Sequence, residues 1–193
     1  MRSSLRRAAG RLDLKLVLAL PGLLLGGVGL VMCLVLGLPL GGVEVEVLVP
    51  ACLAAYFGIA ALAAAFERLS LSFRDAGGLL EDIVRRLGLT PLWALALGLT
   101  SAVGEELFFR GFALSLLGRF VPPVIAVLVQ AAMFAAMHPA PRTAWAYPAW
   151  AFVSGSLLGA VALGTGSILP GLLAHYLFNH QNFNAVLESQ RRE

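Results

Sequence analysis

Three ionisable residues, Glu105, Glu106 and Arg110, stand inside a stretch that is otherwise apolar. The residues before them read Leu-Trp-Ala-Leu-Ala-Leu-Gly-Leu, and those soon after them read Ala-Leu-Ser-Leu-Leu. A charge near the middle of a membrane helix costs about 2.5–3.5 kcal/mol on insertion scales. Such residues usually persist only where they pair with one another or carry out chemistry. We therefore interpret the rest of the chain as a frame around this cluster.

The composition supports a membrane setting. Of the 193 residues, 59% are hydrophobic and 13% are charged, whereas soluble domains carry about 25% charged residues. Apolar segments separated by turn signals predict an all-α polytopic membrane bundle of about six transmembrane helices plus one interfacial amphipathic helix. Basic residues at the ends of apolar segments account for the net charge of +3, so no nucleic-acid partner is expected. Cys33 and Cys52 are expected to be free core residues.

The segments divide the chain into four parts. Residues 1–66 are expected to form two N-terminal transmembrane helices, and 67–90 a cytoplasmic amphipathic connection. Residues 91–187 are expected to form a four-helix catalytic core, followed by a tail at 188–193. Twelve Lys and Arg residues fall on the side of the termini in this arrangement, and only Arg119 falls on the other. This bias predicts that both termini are cytoplasmic.

The connection contains a segment with helical periodicity. Its apolar residues share one face: Leu79, Leu80, Ile83, Val84 and Leu87. On the other face, the pairs Glu81–Arg85 and Asp82–Arg86 are spaced for i,i+4 ion pairs, and Gly88 marks the end of the helix. The pattern predicts a helix that lies on the membrane surface, and a partner-docking role is the alternative.

Helix geometry separates the roles of the two glutamates. Glu106 and Arg110 are four residues apart, so they share a face and can form a supporting ion pair. Glu105 lies about 100° around the helix from Glu106. The arginine therefore leaves Glu105 free to act as a general base in a drier pocket. A purely structural Glu–Arg clamp is the alternative, but it leaves Glu105 unexplained.

Two later apolar segments carry further polar residues. His138 ends the fourth predicted span, and His175 and Asn179 are four residues apart on one face of the sixth. Taken alone, His138 is typical of an interfacial histidine and the other two of an interhelical hydrogen-bonding pair. His180 is turned about 140° away from His175, so we leave it out of the candidate site.

Together these residues suffice for peptide hydrolysis. Glu105, with help from His138, would take a proton from a water molecule that attacks the scissile carbonyl. His175 and Asn179 would donate hydrogen bonds to the developing oxyanion. Two alternatives stay open: a non-catalytic membrane scaffold or immunity protein, and a proton-coupled transporter with Glu105 and His175 as its relay.

Straight helices would not bring Glu105 and His138 to one depth in the membrane. At 1.5 Å per residue, Glu105 is about 21 Å from the cytoplasmic start of its span, and His138 is about 23 Å from the opposite face. Either the span of Glu105 begins well before the hydrocarbon, or the span that ends at His138 is broken or tilted. The face to which a cavity opens is therefore left undetermined.

Three motifs occur in order on successive apolar segments: Glu105-Glu106-x-x-x-Arg110, Phe134-x-x-x-His138 and His175-x-x-x-Asn179. This pattern resembles the CPBP family of CAAX-protease and bacteriocin-processing intramembrane endopeptidases, which includes the type II prenyl-protein protease. The similarity covers about residues 90–187. The resemblance implies a helical membrane protease in which Glu105 and His138 activate water. His175 and Asn179 would be its oxyanion donors.

The resemblance also bears on cofactors, partners and location. No cofactor is expected and no metal ligands are assigned, but the family was long described as metal-dependent. A zinc ion held by two histidines and a carboxylate is therefore the alternative. The expected partners are the lipid bilayer and a membrane-associated protein or peptide substrate. A bacterial inner membrane is the expected location.

Overall fold

The computed structural model describes the backbone of residues 2–192 and the side chains of residues 15–192. Four arginines that contribute to the predicted charge bias lie outside the described side chains: Arg2, Arg6, Arg7 and Arg11. Met1 and the tail residue Glu193 lie outside the described backbone. Within this range the chain consists of helices and short connections, which confirms the all-α prediction.

The described chain forms seven successive helices. They are α1 (Arg2–Leu36), α2 (Val45–Leu69), α3 (Leu71–Leu87), α4 (Pro91–Leu117), α5 (Pro123–Ala136), α6 (Ala146–Thr165) and α7 (Leu169–Arg192). The middle of α4, Glu106–Leu114, is π-helical, and a 3-10 turn at Arg142–Ala144 precedes α6.

Four stretches among the described residues are long and apolar enough to cross a membrane: Lys15–Leu36, Val45–Leu69, Pro91–Leu117 and Ala146–Thr165. The other two of the six expected spans differ from the prediction. Helix α5 is apolar but has only 14 residues, and Pro139 follows soon after its end. Helix α7 becomes polar from Asn179 onward, with further amides at Gln181, Asn182 and Asn184. Helices α5 and α7, which differ from the predicted spans, are therefore the ones that adjoin or carry His138, His175 and Asn179.

The short α5 removes the difference in depth between Glu105 and His138. At 1.5 Å per residue, the 27 residues of α4 extend for about 40 Å, and α5 extends for about 21 Å. Helix α5 starts near the end of α4 and returns along only half of its length, so it ends beside Glu105. The difference in length between α4 and α5, rather than a break or a tilt in α5, therefore brings the two residues to one level.

Helix α3 occupies the space beyond the end of α5. The hydroxyl of Ser72 accepts a hydrogen bond from the backbone N–H of Ala146, at 3.1 Å. At the other end of the helix, Lys15 Nζ donates to the carbonyl oxygen of Gly88, also at 3.1 Å. Gly88 has a φ of 55° and ends the helix as predicted. Hydrogen bonds therefore hold both ends of α3 against the bundle.

The two faces of α3 match the predicted pattern only in part. Val84 and Leu87 are buried, whereas Leu79 and Ile83 are exposed. On the opposite face the Glu81–Arg85 ion pair forms at 3.3 Å. The parallel pair Asp82–Arg86, within the described side chains, does not form. Two of the five residues of the apolar face are therefore left uncovered by the protein, and both of them line the cavity described below.

Glycines allow α1 to pack closely on α4. A Cβ atom on Gly104 would lie 2.0 Å from the carbonyl oxygen of Gly22, and one on Gly22 would lie 2.6 Å from that of Thr100. A Cβ atom on Gly26 would lie 3.1 Å from Cα of Gly104. Because Gly104 precedes Glu105, this contact positions the candidate base.

A buried aromatic cluster joins α4, α5 and α6 next to the charged residues. Phe109, Phe134 and Ala151 pack together, and the guanidinium carbon of Arg110 lies 4.5 Å above the centre of the Phe134 ring. Cys33 and Cys52 are both free and buried, as predicted.

Candidate active site

A cavity of about 900 Å³ lies inside the bundle. Glu105 of α4, His138 just after α5, and His175 and Asn179 of α7 all line it. The structure therefore brings the four predicted catalytic side chains to one cavity. The supporting pair, Glu106 and Arg110, is buried.

Glu105 presents one carboxylate oxygen to two histidine rings. Its Oε1 atom accepts a hydrogen bond from Ser101 Oγ at 2.6 Å. Its Oε2 atom lies 3.8 Å from Nε2 of His138 and 3.8 Å from Nε2 of His175. These two distances are too long for hydrogen bonds, and Oε2 is buried without a partner among the described residues. This oxygen is therefore available to accept a proton.

The other nitrogen of each ring contacts a hydrogen-bond acceptor. His138 Nδ1 lies 2.7 Å from the carbonyl oxygen of Phe134. His175 Nδ1 lies 3.0 Å from Oε1 of Glu106. A carbonyl oxygen and an ionised carboxylate can only accept, so each Nδ1 carries the hydrogen. In a neutral ring, the Nε2 atom that faces Glu105 then carries no hydrogen and presents its lone pair.

The supporting ion pair of α4 is fully buried and is held by a hydrogen bond to a second helix, α6. Arg110 Nη1 donates to Oε1 of Glu106 at 3.0 Å, and both side chains are inaccessible to solvent. Arg110 Nη2 donates to the carbonyl oxygen of Gly155 at 3.1 Å. Gln130 Nε2 donates to the same oxygen at 2.9 Å. Glu106 therefore links the arginine to His175, a role that spacing alone did not predict.

The π-helical segment was not predicted either. Its first residue is Glu106, and it contains Arg110. The angles estimated from the sequence assumed an ordinary α-helix of 3.6 residues per turn. The Glu106–Arg110 contact forms nonetheless. Short π-helical segments occur frequently at functional sites, and this one begins directly after the candidate base.

Asn179 lies on the cavity wall, whereas its neighbour His180 does not. The amide of Asn179 makes no hydrogen bond to another described residue, so it is available to a ligand. Gly98 of α4 faces α7 here, and a Cβ atom on it would make ordinary van der Waals contact with Cβ of Asn179, at 3.6 Å. His180 Nε2 is 2.9 Å from Nδ2 of Asn184, outside the candidate site as expected.

A family model described as "Type II CAAX prenyl endopeptidase Rce1-like" matches residues 87–180. We call residues 87–180 the Rce1-like segment, and its match confirms the resemblance predicted from the three motifs. The family supports a CAAX-type intramembrane protease in general and a protein or peptide substrate. Together with the apolar helices it identifies an integral membrane protein. No curated protein and no solved structure matches the chain significantly.

The Rce1-like segment contains all four predicted catalytic residues, and it also contains residues that sequence reasoning missed. Ser101 could have been found from its position four residues before Glu105. Gln130 could have been found as an amide inside an apolar helix. Tyr147 and Trp150 stack with ring centres 5.7 Å apart and line the cavity. Nothing in their spacing marked them.

The donor set of the zinc alternative is Glu105 with His138 and His175. Among the described residues, no group of three or more His, Cys, Asp or Glu side chains has the arrangement of a metal site. The residues of the Rce1-like segment therefore do not form a ready-made zinc site, and the mechanism below includes no metal step. That no cofactor is required stays a prediction.

Proposed function

We propose that the chain is an intramembrane endopeptidase that hydrolyses a peptide bond of a membrane-associated protein or peptide, using water activated by Glu105. One observation carries the proposal. Oε2 of Glu105 lies 3.8 Å from Nε2 of both His138 and His175, on the wall of a large cavity. One carboxylate oxygen and two ring nitrogens thus border one space that is open to a ligand, and Glu105 Oε2 is the proton acceptor among them.

The first step is the attack of water on the scissile carbonyl. Glu105 Oε2 accepts one proton of the water. The bare Nε2 of His138 accepts a hydrogen bond from the other, because its Nδ1 hydrogen is held by Phe134. The oxygen then bonds to the carbonyl carbon and forms a tetrahedral intermediate. General-base assistance of this kind contributes about 10²–10⁴-fold to the rate.

Asn179 and His175 stabilise the oxyanion of the tetrahedral intermediate. The Asn179 amide donates from the cavity wall. His175 can donate from Nε2 only as an imidazolium, because its Nδ1 hydrogen is directed to Glu106. Each such donor is worth roughly 10²–10³ in rate.

Collapse of the intermediate completes the reaction. The C–N bond breaks, and the proton held by Glu105 passes to the departing nitrogen. The products are a new amine and a new carboxylic acid, whose proton, the second proton of the water, passes to Nε2 of His138 and from there to the amine or to water. Glu105 returns to its ionised state without a covalent enzyme intermediate, so no serine or cysteine nucleophile is needed.

The cavity is proposed to open to the cytoplasm. Its lining includes Glu67 and Arg74 near and on α3, at the end of the bundle where α5 stops short. Most of the Lys and Arg residues belong to this end, and Arg119 belongs to the other. By the positive-inside rule, the end with α3 faces the cytoplasm.

A comparison of membrane proteomes tests the proposal. Cells that express the wild-type chain, Glu105→Gln or Glu46→Gln are compared for protein termini that depend on the chain. Glu46 is an exposed residue near the start of α2 and serves as the matched control. We expect a set of termini to disappear in Glu105→Gln alone. Identical termini in all three strains would exclude the protease and favour a scaffold or a transporter.

A further inference from the structure

Helix α3 contains two adjacent glycines that neither conformation nor packing explains. Gly77 and Gly78 lie in its interior, and neither has a positive φ. A Cβ atom on either residue would meet nothing within 4 Å. A glycine inside a helix costs about 0.5–1 kcal/mol relative to alanine. Their presence therefore has another reason.

Only the first of the two glycines faces the cavity. Gly77 lines it, and Gly78 does not. Phe73 and Leu80 also line it, and positions 73, 77 and 80 fall on one helical face. The missing side chain at 77 leaves a notch in the cavity wall between two apolar side chains.

The notch belongs to the same cavity as the candidate catalytic residues. Glu105, Asn179, Asn182 and the α3 residues all line this one cavity. A peptide bound at Glu105 therefore extends over this wall in one direction. Glycine is commonly used where a ligand must approach the backbone closely.

We propose that Gly77 is a specificity-determining residue whose notch accepts an apolar side chain of the substrate. The inference rests on the proposed function and adds a substrate property to it. The chemistry of the occupant follows from the cavity-lining residues of α3, which are apolar except for Arg74: Phe73, Ala76, Leu79, Leu80 and Ile83. Helix α3 precedes nearly all of the Rce1-like segment, which begins at residue 87. The notch is thus supplied by a part of the chain outside that segment.

A matched pair of variants tests the notch. Wild type, Gly77→Leu and Gly78→Leu are purified in lipid nanodiscs and given quenched fluorescent peptides that carry Ala, Leu or Trp at one scanned position. Both substitutions replace a helix-interior glycine in open space, so their effects on the helix are equivalent. We expect Gly77→Leu to lower kcat/KM for the Leu and Trp peptides by about tenfold or more relative to the Ala peptide. Gly78→Leu should keep the wild-type ratio.

A binding measurement separates failure of the notch from failure of the protease. Gly77→Cys and Gly78→Cys are each combined with Glu105→Gln, and alkylation of the introduced thiol is followed with and without the Leu peptide. The native thiols of Cys33 and Cys52 are buried. We expect the peptide to slow alkylation at position 77 only.

The outcomes then have distinct meanings. If the wild type cleaves peptides but both leucine variants keep its preference among the Ala, Leu and Trp peptides, or both lose it equally, the proposed role of Gly77 is wrong. If the wild type cleaves none of them while the thiol at 77 is still protected, the proposed function fails and the notch stands. Equal protection at 77 and 78, or none, would refute the notch directly.

Discussion

Nδ1 of His175 lies 3.0 Å from Oε1 of Glu106. The same carboxylate oxygen accepts a hydrogen bond from Nη1 of Arg110. Oε1 of Glu106 thus contacts both the Arg110 guanidinium, which neutralises it, and the His175 ring, which faces the cavity. Glu106 is therefore both a partner for the arginine and the group that orients His175.

Removal of one partner of the buried ion pair is expected to destabilise the protein strongly. Glu106→Gln or Arg110→Met leaves an unpaired charge in a solvent-free position, at a cost of about 3–5 kcal/mol. The double variant should be less destabilised than the sum of the two single variants, because no charge is left behind. Thermal unfolding in detergent micelles measures this. Additive effects would show that the two residues are not coupled.

Ser101→Ala is expected to reduce activity about tenfold without unfolding the protein, since a hydrogen bond to a charged group contributes about 1.5–3 kcal/mol. Ser101 Oγ is the only described donor to Glu105 Oε1, at 2.6 Å, so its loss frees the candidate base to rotate. Ser156→Ala is the control, because that hydroxyl bonds only to Phe152 of its own helix. Rates on a cleaved peptide provide the measurement. Equal rates for the two variants would contradict the role of Ser101.

Gly104→Ala is expected to lower both stability and activity. The added methyl group would lie 2.0 Å from the carbonyl oxygen of Gly22, and overpacking of this kind costs typically about 1–3 kcal/mol. Separation of α1 from α4 would also displace Glu105. Gly27→Ala is the control, since a methyl group there meets nothing within 4 Å. It should be neutral or stabilising by up to about 1 kcal/mol, as measured by melting temperature.

Activity is expected to survive removal of metal ions. In the proposed mechanism Glu105 takes the proton of the water directly, and no step requires a Lewis acid. The wild-type chain should cleave its peptide at an unchanged rate after treatment with a strong zinc chelator and dialysis. A loss of activity that added zinc restores would instead place a zinc ion among Glu105, His138 and His175.

Local spacing was sufficient to single out the candidate residues Glu105, Glu106, Arg110, His175 and Asn179. The i,i+4 relation predicted the contact of Glu106 with Arg110, and it also placed His175 and Asn179 on one face of α7. The cost of a charge in hydrocarbon marked Glu105 as a residue that needs a partner or a function. Each of these inferences depends on neighbours within one helix, where the backbone geometry is known in advance.

Contacts between helices could not be inferred in this way. The bond from His175 to Glu106 joins residues far apart in sequence, and so does the bond from Gln130 to Gly155. The notch at Gly77 depends on which face of α3 lies over the cavity. The sequence pattern of that helix predicts only an apolar and a polar face.

The sequence by itself determined that this chain is a helical membrane protein and which of its polar side chains require an explanation. The reason is that the cost of burying a charge and the period of a helix are properties of short segments. The tertiary structure alone decided that α5 stops half-way, that Glu106 holds His175, and that α3 closes the cavity wall. These features depend on how helices pack against one another, through glycine contacts such as that of Gly22 with Gly104, and such packing is a property of the whole chain.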